Sequence, residues 1–168
     1  MMQRGYTRED YLRTVSAIRE ILPGCCLSTD IISGFCGETE QDHLDTLTLM
    51  KEAGFASAFM FKYSERRDTL AADTLADDVP PEIKERRLRE IIDLQQSLSL
   101  QSNRNDIGKT LKVLVEGVSK RSVHHLFGRT DSNKVVVFGK SDEMPGDTIS
   151  VKITGTTSAT LTGERTPV

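Results

Sequence analysis

Apolar positions first recur at spacings of three and four. Leu12, Val15, Ile18 and Leu22 share one face of a predicted helix over residues 7–22. Thr7 stands at its start with Asp10 three residues later, a variant of the capping box, and Pro23-Gly24 ends it. The run "CCLSTDIISGF" is β-type and leads into the Gly-rich turn "GFCGETE". Thr39 then caps a second helix with Leu44, Leu47 and Met50 on one face and Gly54 at its end. "FASAFMFKYS" is dense in aromatics and reads as a buried strand. Residues 7–64 therefore read α-β-α-β, the rhythm of parallel α/β architecture. Two strands that look buried on both faces call for neighbouring strands. None is visible upstream, so the chain is expected to pair with something or to lack its beginning.

Residues 65–80 read as a long loop. Pro80 and Pro81 open a long helix with Leu88, Ile91, Ile92, Gln95 and Leu98 facing inward, and "KERRLRE" on its solvated side. From Lys109 the period changes to two. About five short strands follow, split by "EG", "DSN" and "MPGD". They outline a small five-stranded antiparallel barrel of the oligonucleotide-binding kind. The expected fold is α/β plus β: an α/β part over residues 1–80, a linking helix over 81–104, and the barrel over 105–168.

Composition changes this picture in two ways. First, no window approaches the roughly 18 consecutive apolar residues of a membrane span. "MMQRGYTRED" has no apolar signal region, and Cys25, Cys26 and Cys36 form no disulfide framework. The expectation is a cytoplasmic protein with no membrane partner. Second, the net charge of -3 hides an asymmetry. Residues 109–168 carry nine Lys and Arg against six Asp and Glu; residues 1–108 carry thirteen against nineteen. The basic module is the better candidate for a polyanion partner.

At this point the residues resemble a known family. "VLVEGVSKRS" with "GRTDSNKVVVF" is similar to the RNA-binding TRAM barrel. "RGYTREDYL", "STDIISGFCGETEQDHLDTL" and "FMFKYSERRDTLAA" resemble the C-terminal half of the TIM-like radical-SAM barrel of the tRNA methylthiotransferases. The nearest subgroup is the one that makes 2-methylthio-N6-dimethylallyladenosine beside the anticodon. The resemblance covers nearly the whole chain, in the family's order. It implies an enzyme that uses S-adenosylmethionine and two 4Fe-4S clusters to insert a methylthio group into the base. It also implies the tRNA anticodon stem-loop as substrate and a flavodoxin-like electron donor. Such clusters need cysteine thiolates, one set in a CxxxCxxC motif. This sequence has neither set, so the resemblance implies a C-terminal piece of the enzyme, inactive without its missing N-terminal half. No catalytic residue and no metal ligand is assigned within the chain.

The resemblance also assigns candidate sites. Gly34, Phe35, Gly37 and Glu38 match a loop, usually GFPGET, that borders the S-adenosylmethionine pocket; Cys36 replaces its Pro. The bare residues read as a βα turn whose helix N-terminus offers free N–H groups. Tyr63, Ser64 and Arg66 match YSxRPGTxA, with Arg67-Asp68 in place of Pro-Gly. They are expected to meet substrate RNA or cofactor, or else to be a solvated loop. Lys120, Arg121, His124, Arg129 and Lys134 are the expected RNA-phosphate contacts. Phe127 is assigned to the barrel core, Gly128 to a bulge or close approach, and Asn133 to a hairpin turn. His124 and His125 are a weak metal pair, because one strand would point them to opposite faces. Two alternatives stand beside this reading. One is an RNA-binding module without catalysis. The other is a methylthiotransferase acting on threonylcarbamoyl-adenosine or a ribosomal protein.

Overall fold

The computed structural model describes residues 5–166; Arg4 of the "RGYTREDYL" stretch lies outside them. Two compact units divide between Leu98 and Ser99. The first holds α1 (Arg8–Ile21), β1 (Ser28–Ser33), α2 (Glu40–Ala53), β2 (Ser57–Lys62), α3 (Leu70–Thr74) and α4 (Pro81–Arg104) as far as Leu98. Thr7 with Asp10 and Thr39 with Asp42 form reciprocal capping boxes on α1 and α2. α2 stops at Gly54, whose left-handed φ of 55° suits glycine.

β1 and β2 pair in parallel, from Ser28 opposite Ser57 to Ser33 opposite Lys62. Val15, Met50, Ala53, Phe55 and Ile91 form the core, with Ile31 and Met60 packed against it from the sheet. The second sheet face is open: Phe59 is 66% and Phe61 55% exposed. This corrects the expectation of a strand buried on both faces. The core cluster gathers on one face only, and β1 and β2 form a two-stranded sheet among the described residues.

Two helix faces also differ from expectation. In α2, His43 is buried and Leu44 is exposed, because the imidazole Nε2 reaches Glu90 Oε2 at 2.8 Å. In α4, Lys84 and Arg87 are buried alongside Ile91 and Gln95, whereas Leu88 and Ile92 are only half-buried. "KERRLRE" is therefore not wholly a solvated face. Buried cations persist where carboxylates pair with them, and here Asp77, Glu38 and Glu40 do so. The segment 65–80 is not all loop either, since Thr69 caps the short α3 through Ala72 N–H.

The second unit holds α4 from Ser99 and a closed barrel of β3 (Thr110–Val118), β4 (His125–Thr130), β5 (Val135–Gly139), β6 (Thr148–Thr156) and β7 (Leu161–Arg165). The ring order is β3-β4-β5-β7-β6, with β6 paired back to β3. β5 and β7 run parallel, so the barrel is mixed rather than antiparallel. Geometry requires this: strand directions cannot alternate around a closed ring of five. Val113, Val115, Leu126, Val136, Phe138, Val151, Ile153 and Leu161 fill the interior. Phe127 is not among them. Leu126, Gly128 and Thr130 take the inward positions of β4, which turns Phe127 outward. Gly128 marks a close approach, since a Cβ there would lie 2.2 Å from the Leu114 carbonyl oxygen. The bulge itself falls in β3, between Val115 and Gly117. Asn133 turns the β4–β5 hairpin with φ of 61°.

Candidate functional site

The outer barrel surface carries a cleft of about 980 Å³. A row of facing residues crosses it. Gly117 lies opposite Phe127, Phe127 opposite Val137, and Val137 opposite Thr162. In the neighbouring row His125 lies opposite Gly139. The β3–β4 turn supplies Lys120 and Arg121 to the rim. That turn is closed by Ser119 N–H to the His125 carbonyl at 2.9 Å, and Ser122 Oγ meets His125 Nδ1 at 3.0 Å. Lys120 and Arg121 are exposed and make no ion pair among the described residues. Thr154, Thr157, Thr160, Thr162 and Glu164 also line the cleft.

The other expected RNA contacts are placed differently. Lys134 Nζ donates to Asp106 Oδ2 at 2.6 Å and to the Ser102 carbonyl at 3.0 Å. It therefore closes the end of α4 instead of lining the cleft. Burial pushes the Asp106 carboxyl up, but the Lys134 and Lys109 ammoniums outweigh it and hold the group below its ordinary value. Arg129 pairs with Glu116 at 3.1 Å and donates to Asn133 Oδ1. His124 is exposed and does not line the cleft. Sequence reasoning did not find the threonine wall. Its signal is the polar run "TGTTSATLT", which alternates with the buried Ile153 and Leu161.

The Gly34–Thr39 loop forms a second cluster, within the α/β unit. Gly34 N–H donates to Glu38 Oε2 at 2.8 Å, and Gly37 N–H to Asp78 Oδ1 at 2.7 Å. Thr39 N–H donates to Asp42 Oδ2. Three amides of the loop leading into α2 are thus taken by the chain's own carboxylates. Glu38 Oε1 in turn accepts from Arg87 Nη1 at 2.8 Å. Arg86 and Arg87 together hold the Glu40 carboxyl down to about 2. His43, followed by Arg86, holds Glu90 below the ordinary carboxylate value.

Phe35 meets Tyr63 edge-on, with ring centroids 4.9 Å apart. Lys84 Nζ lies 5.0 Å from the centre of the Tyr63 ring. The Cys36 side chain beside the Tyr63 hydroxyl, then burial and the charges of Glu65 and Asp77, push the tyrosine's pKa up. Ser33 Oγ is buried with no hydrogen-bond partner among the described residues. Ser64 and Arg66 are exposed. Asp68 takes φ of 62°, the conformation for which glycine is suited. The described residues contain no group of three His, Cys, Asp or Glu able to hold a metal ion, so they do not offer a ligand set for an iron-sulfur cluster. No helix among them is long and apolar enough to cross a membrane.

Known proteins resemble the chain both in the barrel and along its whole length. Residues 104–165 match the TRAM domain. The chain is 59% identical over 164 residues to the tRNA-2-methylthio-N(6)-dimethylallyladenosine synthase of Phocaeicola vulgatus, covering 98% of this chain and 36% of that protein. The proteins of the same name from Bacteroides fragilis and Chlorobium luteolum are 58% and 53% identical over the same length; 98% of this chain matches 36% and 37% of theirs. The chain thus spans about a third of the length of the curated relatives it matches. Over that third it is similar to proteins named tRNA-2-methylthio-N(6)-dimethylallyladenosine synthase, and its residues 104–165 match the TRAM domain.

Proposed function

We propose that this chain is the C-terminal part of a cytoplasmic tRNA methylthiotransferase. The enzyme converts N6-dimethylallyladenosine beside the anticodon to its 2-methylthio derivative. The observation that carries this reading is identity above 50% along 98% of the chain, not over the barrel alone. Shared barrels alone would support only RNA binding.

In this reading residues 1–80 complete a radical-SAM barrel whose earlier strands lie outside the chain. The open face of β1 and β2, with exposed Ile32, Phe59 and Phe61, supports it, because such a face needs a covering layer. Residues 81–104 link this part to the RNA grip at 105–168. The Gly34–Thr39 loop and Tyr63 follow the C-terminal ends of the two parallel strands, where α/β folds place their ligands. Gly34, Phe35, Gly37 and Glu38 form one wall of an S-adenosylmethionine pocket, and bound S-adenosylmethionine supplies the methyl group and the radical. Ser33 Oγ, buried and unpartnered among the described residues, supports a polar ligand at that edge. Glu38 shapes the loop through Gly34 N–H and Arg87. The two 4Fe-4S clusters fall to cysteines elsewhere in the enzyme, and a flavodoxin-like donor supplies electrons.

The test is a chimera. This chain replaces the matching third of a relative in cells lacking the enzyme, and tRNA nucleosides are analysed by mass spectrometry. Restoration of the 2-methylthio nucleoside is expected. A folded, cluster-loaded chimera that leaves dimethylallyladenosine unconverted overturns the proposal.

A further inference from the structure

The cleft on the barrel has a shape that phosphate binding alone does not require. Two exposed cations at its rim would suffice for a backbone contact. Behind them lies an aromatic ring turned outward from the core. Phe127 faces Gly117 across the strand pair, and its Cε1 lies 3.7 Å from where a Gly117 Cβ would be. With glycine on that side and Val137 on the other, the ring is half-buried and lines the cleft. The adjoining position, opposite His125, is Gly139, and a Cβ built there meets nothing within 4 Å. The result is a recess over Gly139 beside Phe127. Glu164, two residues beyond Thr162, lines the same cleft and presents an acceptor.

We infer that this recess takes one unpaired nucleobase of a single-stranded RNA segment. The base stacks on Phe127, and its adjacent phosphate lies at Lys120 and Arg121. An A-form duplex offers no free base face, so the recess selects unpaired over paired RNA. A carboxylate at the wall accepts from an exocyclic amine. Glu164 therefore favours adenine or cytosine over uracil. The inference rests on the proposed RNA-gripping role of the barrel and adds to it which part of the RNA is gripped, and by what.

The test exploits Gly139. It lies in extended backbone with open space around its Cα, so Gly139→Val should fold normally while filling the recess. The full 168-residue chain is titrated with fluorescent single-stranded oligoadenylate, oligocytidylate, oligouridylate and an RNA hairpin stem. Melting of each variant is measured alongside. Gly139→Val and Phe127→Ala are expected to weaken oligoadenylate binding about tenfold, the size of one lost stacking contact, and to leave stem binding unchanged. Glu164→Gln should reduce the preference for oligoadenylate and oligocytidylate over oligouridylate. Lys120→Ala with Arg121→Ala should weaken every RNA and flatten the salt dependence. Oligoadenylate binding that survives Gly139→Val unchanged overturns the inference while leaving the RNA grip intact. A wild-type chain that binds none of the four RNAs overturns the RNA grip itself, and the inference with it.

Discussion

Lys84 occupies the space that a side chain on Gly34 would need: a Cβ built on Gly34 lies 2.3 Å from Lys84 Cγ and 3.1 Å from Lys84 Cβ. These atoms sit near the helix backbone and cannot swing away as a side-chain tip can. Gly34 also has φ of 74°, which costs a residue with a Cβ about 1 kcal/mol. Gly34→Ala should therefore destabilise the α/β unit by about 2–4 kcal/mol, overpacking added to backbone strain. In a Lys84→Ala background the Cγ overlap is gone and only the backbone part and the 3.1 Å Cβ contact remain, so the loss should shrink to about 1–2 kcal/mol. Tyr6, Tyr11 and Tyr63 are the only tyrosines and the chain has no Trp, so urea unfolding followed by tyrosine fluorescence reports this unit alone. Equal losses in both backgrounds would sink the steric account.

Arg87 is the second anchor of the loop. Its side chain is 5% exposed and that of Glu38 is 15% exposed, so each charge depends on the other. Removing one partner of such a pair typically costs about 3–5 kcal/mol. Arg87→Ala should fall in that range and also free the Glu38 carboxylate that fixes Gly34 N–H. Glu38→Gln keeps an acceptor and should cost less. The double variant should cost clearly less than the two losses combined. Additive losses in the same tyrosine-fluorescence experiment would show that the two residues act separately.

These anchors explain which parts of the molecule were legible in sequence. Capping at Thr7 and Thr39 is local, so residue spacing suffices to find it. The buried side of α4 is not local. Lys84 and Arg87 turn inward because of Asp77, Glu38 and Glu40, and the two glutamates lie more than 40 residues away along the chain. Phe127 was misplaced for a different reason. In "HLFG" the apolar Leu126 and Phe127 are adjacent and point to opposite faces, so alternation gave two candidate inward faces without saying which was inside. Lys134 looked like a free cation because Asp106 reaches it only once the barrel has closed. The parallel β5–β7 pair was within reach of sequence, because five strands in a closed ring already imply it.

The Asp106 pair makes the barrel acid-sensitive. The carboxyl is held below its ordinary value of 3.8, so the folded state binds this proton more weakly than the unfolded state. The resulting stabilisation is complete above that value and is lost as pH falls through the lower folded value. Asp106→Asn removes this contribution. The variant should be less stable than wild type at neutral pH, and the gap should narrow as pH falls below about 4. Hydrogen exchange of the β3–β7 amides measures barrel stability, since this unit contains no Tyr or Trp. A gap that stays constant down to the acid limit would mean that the ion pairs do not drive the effect.

Asp68 tests how the loop after β2 tolerates losing a glycine. It is exposed and takes φ of 62°, while the next residue, Thr69, caps α3. Asp tolerates this conformation better than most residues, because its short polar side chain can bond locally. Ala lacks that help and should destabilise by about 1 kcal/mol. Gly relieves the strain but enlarges the unfolded ensemble, and these opposing contributions are of similar size. Asp68→Gly should therefore lie within about 0.5 kcal/mol of wild type, while Asp68→Ala lies clearly below both. Asp68→Pro should be worst of the three, since its ring fixes φ near −65°. Urea midpoints by tyrosine fluorescence give the order directly. Finding Ala equal to Gly would show that the loop rearranges to a negative φ, and that its turn does not depend on the left-handed residue.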